Sequence, residues 1–160
     1  MQVVKFVNKF RARIFLNEDL MVKKENRYFL LNKKHKKLKG LITKDFFYAG
    51  LYLGKVRNKR FFPSFNLLKM IAEKRSNKVI VDKKTEWLFI CGRDVFKRGI
   101  IKVVGSGRKG DYTLVLNTHR ECLGFGRILH DLNKMEDKDA VAVKNVLDIG
   151  DFLRREKGQP

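Results

Sequence analysis

A chain of 160 residues can fold as one compact unit or two small ones, and 44% apolar residues with 13 Phe spread along the length exclude a disordered chain. Its 37 Lys and Arg against 17 Asp and Glu leave a net charge of +20, which excludes an acidic surface and favours a polyanionic partner, nucleic acid first. Residues 1–84 hold 23 basic and 6 acidic side chains, a net of +17, so residues 85–160 carry only +3 and two units with different work are expected.

In chain order, Phe6 to Leu16 mixes apolar and basic residues and fits either helix or extended chain. Arg27 to Leu31 reads as a strand. Asn32 is placed to cap a short Lys-rich helix running through Leu38, which Gly40 ends. Leu41 to Tyr48 is ambiguous. Leu51 to Arg57 alternates loosely and predicts a strand, and Phe61 to Phe65 predicts a second, with Pro63 demanding an edge position. Asn66 is the expected cap of a helix from Leu67 to Lys74. A boundary between units is expected near Lys74 to Lys78.

Lys78 to Val81 is a strand by pattern. Thr85 is the expected cap of a short helix with Trp87, Leu88, Phe89 and Ile90 on its buried side, closed by Gly92. Ile100 to Val104, Tyr112 to Leu116, Leu123 to His130 and Ala140 to Val146 are strands, and Ile149 to Arg155 is a final short element. Many short strands around one helix predict a small closed or nearly closed barrel, which leaves few strand edges exposed.

Cys91 and Cys122 lack any paired spacing and are expected to be reduced, buried thiols of a cytosolic protein. No apolar run is long enough to cross a bilayer, and Lys5, Lys9, Arg11 and Arg13 precede no long apolar stretch, so neither a membrane span nor a signal peptide is expected.

Gly105 to Gly110 matches the GxGxxG pattern of dinucleotide sites. Such a site needs a helix to start at the last glycine, and here a strand follows, so the stretch reads as a β-hairpin with Arg108 and Lys109 at its tip. His35, His119 and His130 stand at no metal-ligand spacing. His119 and Cys122 read as turn and strand packing, Asp148 and Asp151 as turn and capping chemistry, and Glu136, Asp137 and Asp139 as a solvated loop. No catalytic residue, metal or cofactor is expected.

The basic stretches are the site candidates. Lys33, Lys34, Lys36, Lys37 and Lys39 cluster around one short helix. Lys55, Arg57, Lys59 and Arg60 lead into Phe61 and Phe62. Cations beside aromatic rings suit single-stranded RNA, because the cations hold the backbone while rings stack on splayed bases. The two phenylalanines also fit a plain core role.

In the second half, Cys91 to Gly99 (CGRDVFKRG), Gly110-Asp111 and Leu123 to Gly126 (LGFG) resemble a PUA domain, an RNA-binding fold of RNA-modifying enzymes. Val146 to Arg155 (VLDIGDFLRR), with Trp87-Leu88-Phe89, resembles the Nip-seven family of ribosome biogenesis factors in its shorter archaeal form. The likeness extends to Tyr48–Lys59 and Phe61–Lys74 and is weakest over the first 25 residues or so.

The resemblance implies an α+β chain: an N-terminal α/β (pre-PUA) domain over residues 1–76 and a PUA β pseudo-barrel over residues 77–160. It implies a non-catalytic factor of large-subunit ribosomal RNA maturation that binds single-stranded, U-rich RNA and meets assembly proteins on pre-ribosomal particles. A cytoplasmic monomer is expected, nucleolar if the source is eukaryotic. The alternative is an RNA-modification enzyme, or a subunit of one, that carries a PUA domain. Archaeal relatives carry several basic residues ahead of the final DIG segment; here Lys144 fits, whereas Ala140, Val141 and Leu147 depart. The expected RNA contacts are therefore Lys144, Lys134, Lys138, Arg154 and Arg155, Arg108 and Lys109 at the glycine loop, and Lys55, Arg57, Lys59 and Arg60 as a second patch from the +17 half.

Overall fold

The computed structural model describes residues 1–14, 16–41 and 49–156, without the side chains of His35, Leu38, Leu41, Phe152, Leu153, Arg155 and Glu156. The ambiguous stretch ending at Tyr48 thus lies, but for Leu41, outside the described residues.

Helix α1 (Gln2–Asn8) opens the chain. Val3, Phe6 and Val7, with Phe10 just beyond, are buried at the i, i+3, i+4, i+7 spacing of one helical face. Four strands follow in an antiparallel sheet whose order is that of the chain: β1 (Met21–Lys24), β2 (Arg27–Leu30), β3 (Leu51–Arg57) and β4 (Arg60–Pro63). Lys23 and Lys24 hid β1 from any hydropathy pattern. Pro63 does lie on the edge strand, where its missing N–H costs no ladder bond. Asn32 does cap the Lys-rich segment, accepting from the Lys34 N–H at 3.1 Å, but the segment is a 3-10 helix that runs on to Leu41.

Helix α2 (Phe65–Ala72) begins two residues before the expected start. Its cap is Ser64, not Asn66: the Ser64 Oγ accepts from the Leu67 N–H at 3.2 Å and donates to the Tyr52 carbonyl at 2.6 Å. Leu67, Leu68 and Ile71 are wholly buried on its inner side.

The second sheet has six strands: β5 (Lys78–Val81), β6 (Val95–Phe96), β7 (Ile100–Val104), β8 (Tyr112–Leu116), β9 (Cys122–Ile128) and β10 (Val141–Asp148). Their order is β6-β10-β9-β8-β5-β7, and only β5 and β8 run parallel. The sheet curls around Val79, Val81, Val115, Ile128 and Val143, with Phe89 of α3 (Lys83–Ile90) packed inside. β6 and β7 remain its edges, so it curls without closing through hydrogen bonds. Helix α4 (Ile149–Glu156) ends the described chain. The architecture is mixed α+β, as expected.

Four expectations are corrected here. The cap of α3 is Asp82, whose carboxylate accepts from the Thr85 N–H at 2.7 Å; Thr85 instead turns inward and is buried. Thr85 and Phe89, one turn apart, define the buried side, so Trp87 between them faces outward and is 68% exposed. Cys91 is exposed and Cys122 only partly buried. Residues Gly105–Gly110 form no hairpin, because β5 lies between β7 and β8 and the loop crosses its end.

Asn77 secures that crossing. Its backbone N–H donates to the Phe10 carbonyl at 2.8 Å and its carbonyl accepts from the Leu114 N–H at 3.0 Å. Its Oδ1 accepts from the Ser106 N–H at 3.0 Å, while Nδ2 faces the Tyr112 carbonyl at 3.4 Å. Gly105 holds φ +93° against it, and a Cβ there would lie 2.4 Å from Oδ1. Asn77→Ala strips the half-buried Ser106 N–H and Tyr112 carbonyl of their side-chain partner and is expected to cost about 1 kcal/mol, read as a lower urea midpoint with unchanged slope.

Burial pushes the Cys122 thiol up to about 11. The folded chain therefore keeps a proton that the unfolded chain gives up at an ordinary thiol value. This contribution to stability is complete below that value and is lost as pH rises toward about 11. Iodoacetamide near neutral pH is expected to label Cys91 and to spare Cys122 until the chain unfolds, as mass spectrometry of tryptic peptides would read.

Candidate nucleic-acid interface

Alternation along the strands sorts the first sheet into two faces. Tyr28, Leu53, Val56 and Phe61 point inward to the main core. The cross-strand row Lys24–Arg27–Lys55–Phe62 and the pair Arg57–Arg60 point outward. Five cations and one half-buried ring thus share one face, with neighbours in a row about 5 Å apart. Arg27, Lys55, Arg57, Lys59 and Arg60 take part in no ion pair among the described residues. Further along, the same face becomes apolar, with Val22, Phe29 and Tyr52.

The β3–β4 turn is Asn58-Lys59, both at positive φ (49° and 61°), as a two-residue turn between twisted strands requires. It carries Lys59 to the tip. Arg60 and Phe62 then border a cleft of about 550 Å³ between β4, α1 and the outer face of the second sheet. Lys5 of α1 and Lys9 at its C-terminal cap line it from one side, and Tyr112 and the exposed Val146 from the other. The Lys9 ammonium stands 4.9 Å from the centre of the Tyr112 ring.

Tyr112 opens the cross-strand row Tyr112–Arg127–Lys144. Arg127 and Lys144 are exposed on the face that borders the cleft. The result is a continuous basic track: outer face of the first sheet, Asn58-Lys59 turn, cleft, and the Arg127–Lys144 row.

The track unites five sequence candidates, Lys55, Arg57, Lys59, Arg60 and Lys144. It adds Arg27, Lys5, Lys9 and Arg127, which pattern reading missed because their meeting depends on strand register and on how α1 docks. Arg108, Lys109 and Lys134 gather where the glycine loop meets the following turn: the Leu132 N–H donates to the Gly107 carbonyl at 2.9 Å, and Asn133 Nδ2 to the Ser106 carbonyl at 3.4 Å. Beside them, the Gly110 N–H donates to the Ile128 carbonyl at 2.8 Å. Lys138 is apart, next to Arg98, which pairs with Asp139 at 2.6 Å.

Arg154 is a clasp rather than a free cation. Its Nη2 reaches both oxygens of buried Asp148, at 2.9 and 3.0 Å, and its Nη1 donates to the Ile90 carbonyl at 2.7 Å. Asp148 also caps α4, accepting from the Asp151 N–H at 2.9 Å, which bears out its capping role. The Arg155 side chain lies outside the described residues. Among the described residues, no three His, Cys, Asp or Glu side chains come together as a metal site. No described helix is long and apolar enough to cross a membrane.

Known proteins bear on this geometry in three ways. The sequence model of the UPF0113 PUA domain matches residues 77–157. A UPF0113 protein of Archaeoglobus fulgidus is 31% identical over 112 residues, which are 69% of this chain and 63% of the relative, so the match spans less than two thirds of its length. Among solved structures, a conserved PUA domain protein from Thermoplasma acidophilum aligns with TM-score 0.55 and 27% identity, covering 68% of this chain and 72% of its own. A PUA domain from Aeropyrum pernix, solved with tartrate, aligns with TM-score 0.52 and 26% identity, covering 60% and 56%.

The track and the clasp differ in what they stabilise. Arg154→Ala leaves the buried Asp148 carboxylate short of its charged donor and is expected to cost about 2 kcal/mol by urea unfolding. Lys144→Ala is expected to stay within about 0.5 kcal/mol of the wild type in the same assay.

Proposed function

Because the chain belongs to the UPF0113 PUA-domain family, a fold that suggests RNA binding, we propose that it is a non-catalytic RNA-binding factor of ribosome assembly, acting in large-subunit ribosomal RNA maturation. The observation that carries the proposal is the basic track. Cations from α1, β3, β4, β9 and β10 line it, and those of the β3–β4 hairpin take part in no ion pair among the described residues. A single strand laid along it releases counterions at each phosphate. Phe62 and Tyr112 offer rings at which unpaired bases can stack. Uridine-rich segments suit such a surface, since small pyrimidines are weakly stacked with one another and are easily splayed. The +17 half then contributes as much to binding as the curled sheet does.

The finer likeness of Val146 to Arg155 to Nip-seven proteins supports the assembly role. In this reading the protein works as a monomer in the cytoplasm, on pre-ribosomal particles and beside other assembly proteins. It lowers the freedom of an exposed RNA segment and does no chemistry on it.

Binding of a short uridine-rich single strand is expected to fall steeply with potassium chloride, with a log–log slope of about −0.7 per phosphate contacted. Charge reversal at two sites, Arg127→Glu with Lys144→Glu or Arg57→Glu with Arg60→Glu, is expected to weaken it about tenfold or more. Affinity that ignores salt, or that survives both pairs, would sink the track. Mass spectrometry of ribosomal RNA incubated with the protein is expected to find no cleaved or modified nucleotide; one that depends on the protein would overturn the non-catalytic part.

A further inference from the structure

A second cleft, of about 800 Å³, opens between α2 and the other end of the curled sheet, and it shares no lining residue with the track. Its floor is apolar: Phe65 and Ala72 of α2, with Ile80, Val104 and Leu116 of β5, β7 and β8. Four cations border that floor, namely Lys69, Lys78, Lys102 and Arg120, against two carboxylates, Glu73 and Glu121. Glu121 is engaged elsewhere, accepting from Asn117 Nδ2 at 2.7 Å. Lys69, Lys102 and Arg120 have no ion-pair partner among the described residues.

One of these cations is anchored, and the turn that carries another is fixed. The Lys78 ammonium donates to the Ala72 carbonyl at the end of α2. Burial first, and the Arg120 charge second, push that ammonium below the usual lysine range. Arg120 itself sits at φ +64°, a strained region for a residue with a side chain. The turn that imposes it is tied by Asn117, whose Oδ1 accepts from the Glu121 N–H at 2.9 Å and whose Nδ2 reaches Glu86 at 3.0 Å.

A ligand in this cleft has to serve the cations and the apolar floor between them together. An apolar ligand alone would desolvate them without compensation, and a bare anion would leave the floor wet. A ligand with a flat, weakly polar body and one phosphate meets both demands. We propose that this cleft holds a single nucleotide unit, its base on Phe65, Ile80, Val104 and Leu116 and its phosphate between Lys102 and Arg120. The unit is a free mononucleotide or the terminal nucleotide of an RNA strand, and the proposal does not rest on the track.

The test titrates the full chain with UMP, AMP and inorganic phosphate by calorimetry, and with a short single-stranded oligonucleotide carrying a terminal phosphate. Saturable binding of a mononucleotide is expected, weakened about tenfold or more by K102E/R120E and unmoved by K144E. Lys102 and Arg120 are both exposed, so the double variant is expected to fold, as an unchanged melting temperature would verify. Oligonucleotide binding weakened by K102E/R120E as well would identify a chain end as the natural occupant; oligonucleotide binding left intact would identify the free nucleotide. Phosphate binding as tightly as the nucleotides, no saturable nucleotide binding, or nucleotide binding indifferent to K102E/R120E would each overturn the proposal. The track fails or stands separately, on the oligonucleotide response to K144E with R127E.

Discussion

Everything that could bind in this molecule depends on one aromatic seam. Phe6 of the first helix and Phe10 just beyond it each meet Phe125 of the curled sheet edge-on, with ring centres 5.5 Å apart. Phe6 also meets Phe61 of the first sheet at 5.3 Å, and Phe10 meets Tyr112 at 5.8 Å. These rings bury large areas in edge-to-face contacts and make the two sheets share one core. The seam covers only the middle of the outer face of the curled sheet. A cleft is left at either side: the first is bordered by Lys5, Lys9, Lys59 and Arg60 from the first helix and the β3–β4 hairpin, the second by Lys69 of α2 with Lys78, Lys102 and Arg120 of the curled sheet and its turns.

The charge of +20 is tolerable because the few acids do structural work. Asp82 and Asp148 cap helices. Asp111 joins the glycine loop to the first helix's end through Arg11 at 2.9 Å, and accepts from Ser106 Oγ at 2.5 Å. Each carboxylate so placed offsets local repulsion and locks a turn. The cations left over are pushed to the surface, where water screens them in the free protein and phosphate can replace that water. Solubility, self-repulsion and affinity for a polyanion are thus three consequences of one distribution.

Glycines set the register of the sheets that carry these charges. Gly54 faces the β4 backbone, and a Cβ there would lie 2.3 Å from the Phe62 carbonyl. Gly124, at φ +149°, would clash with the Leu147 carbonyl at 2.0 Å. Both lie beside irregularities that turn the strands, at Leu53 in β3 and Val146 in β10. The second leaves Val146 on the surface at the rim of the first cleft. Specific backbone geometry therefore decides which side chains reach the track.

Local pattern determined much of this protein: most strands, the edge position of Pro63, the Asn32 cap, the positive balance and its bias to the first half. It misplaced what depends on partners distant in the chain. Ser64 and Asp82 displaced the expected caps because the helices start where docking places their first turns. Trp87 faces solvent because Phe89 already fills the interior. The glycine loop reads as a hairpin until β5 is seen between its flanking strands. Lys144 and Lys59 were legible as basic residues, but Arg127, Lys5 and Lys9 joined them only through cross-strand pairing and the aromatic seam. Charge and hydropathy are properties of single residues and survive in the sequence. Convergence is a property of the pairing between segments more than a hundred residues apart, and burial of shared rings decides it.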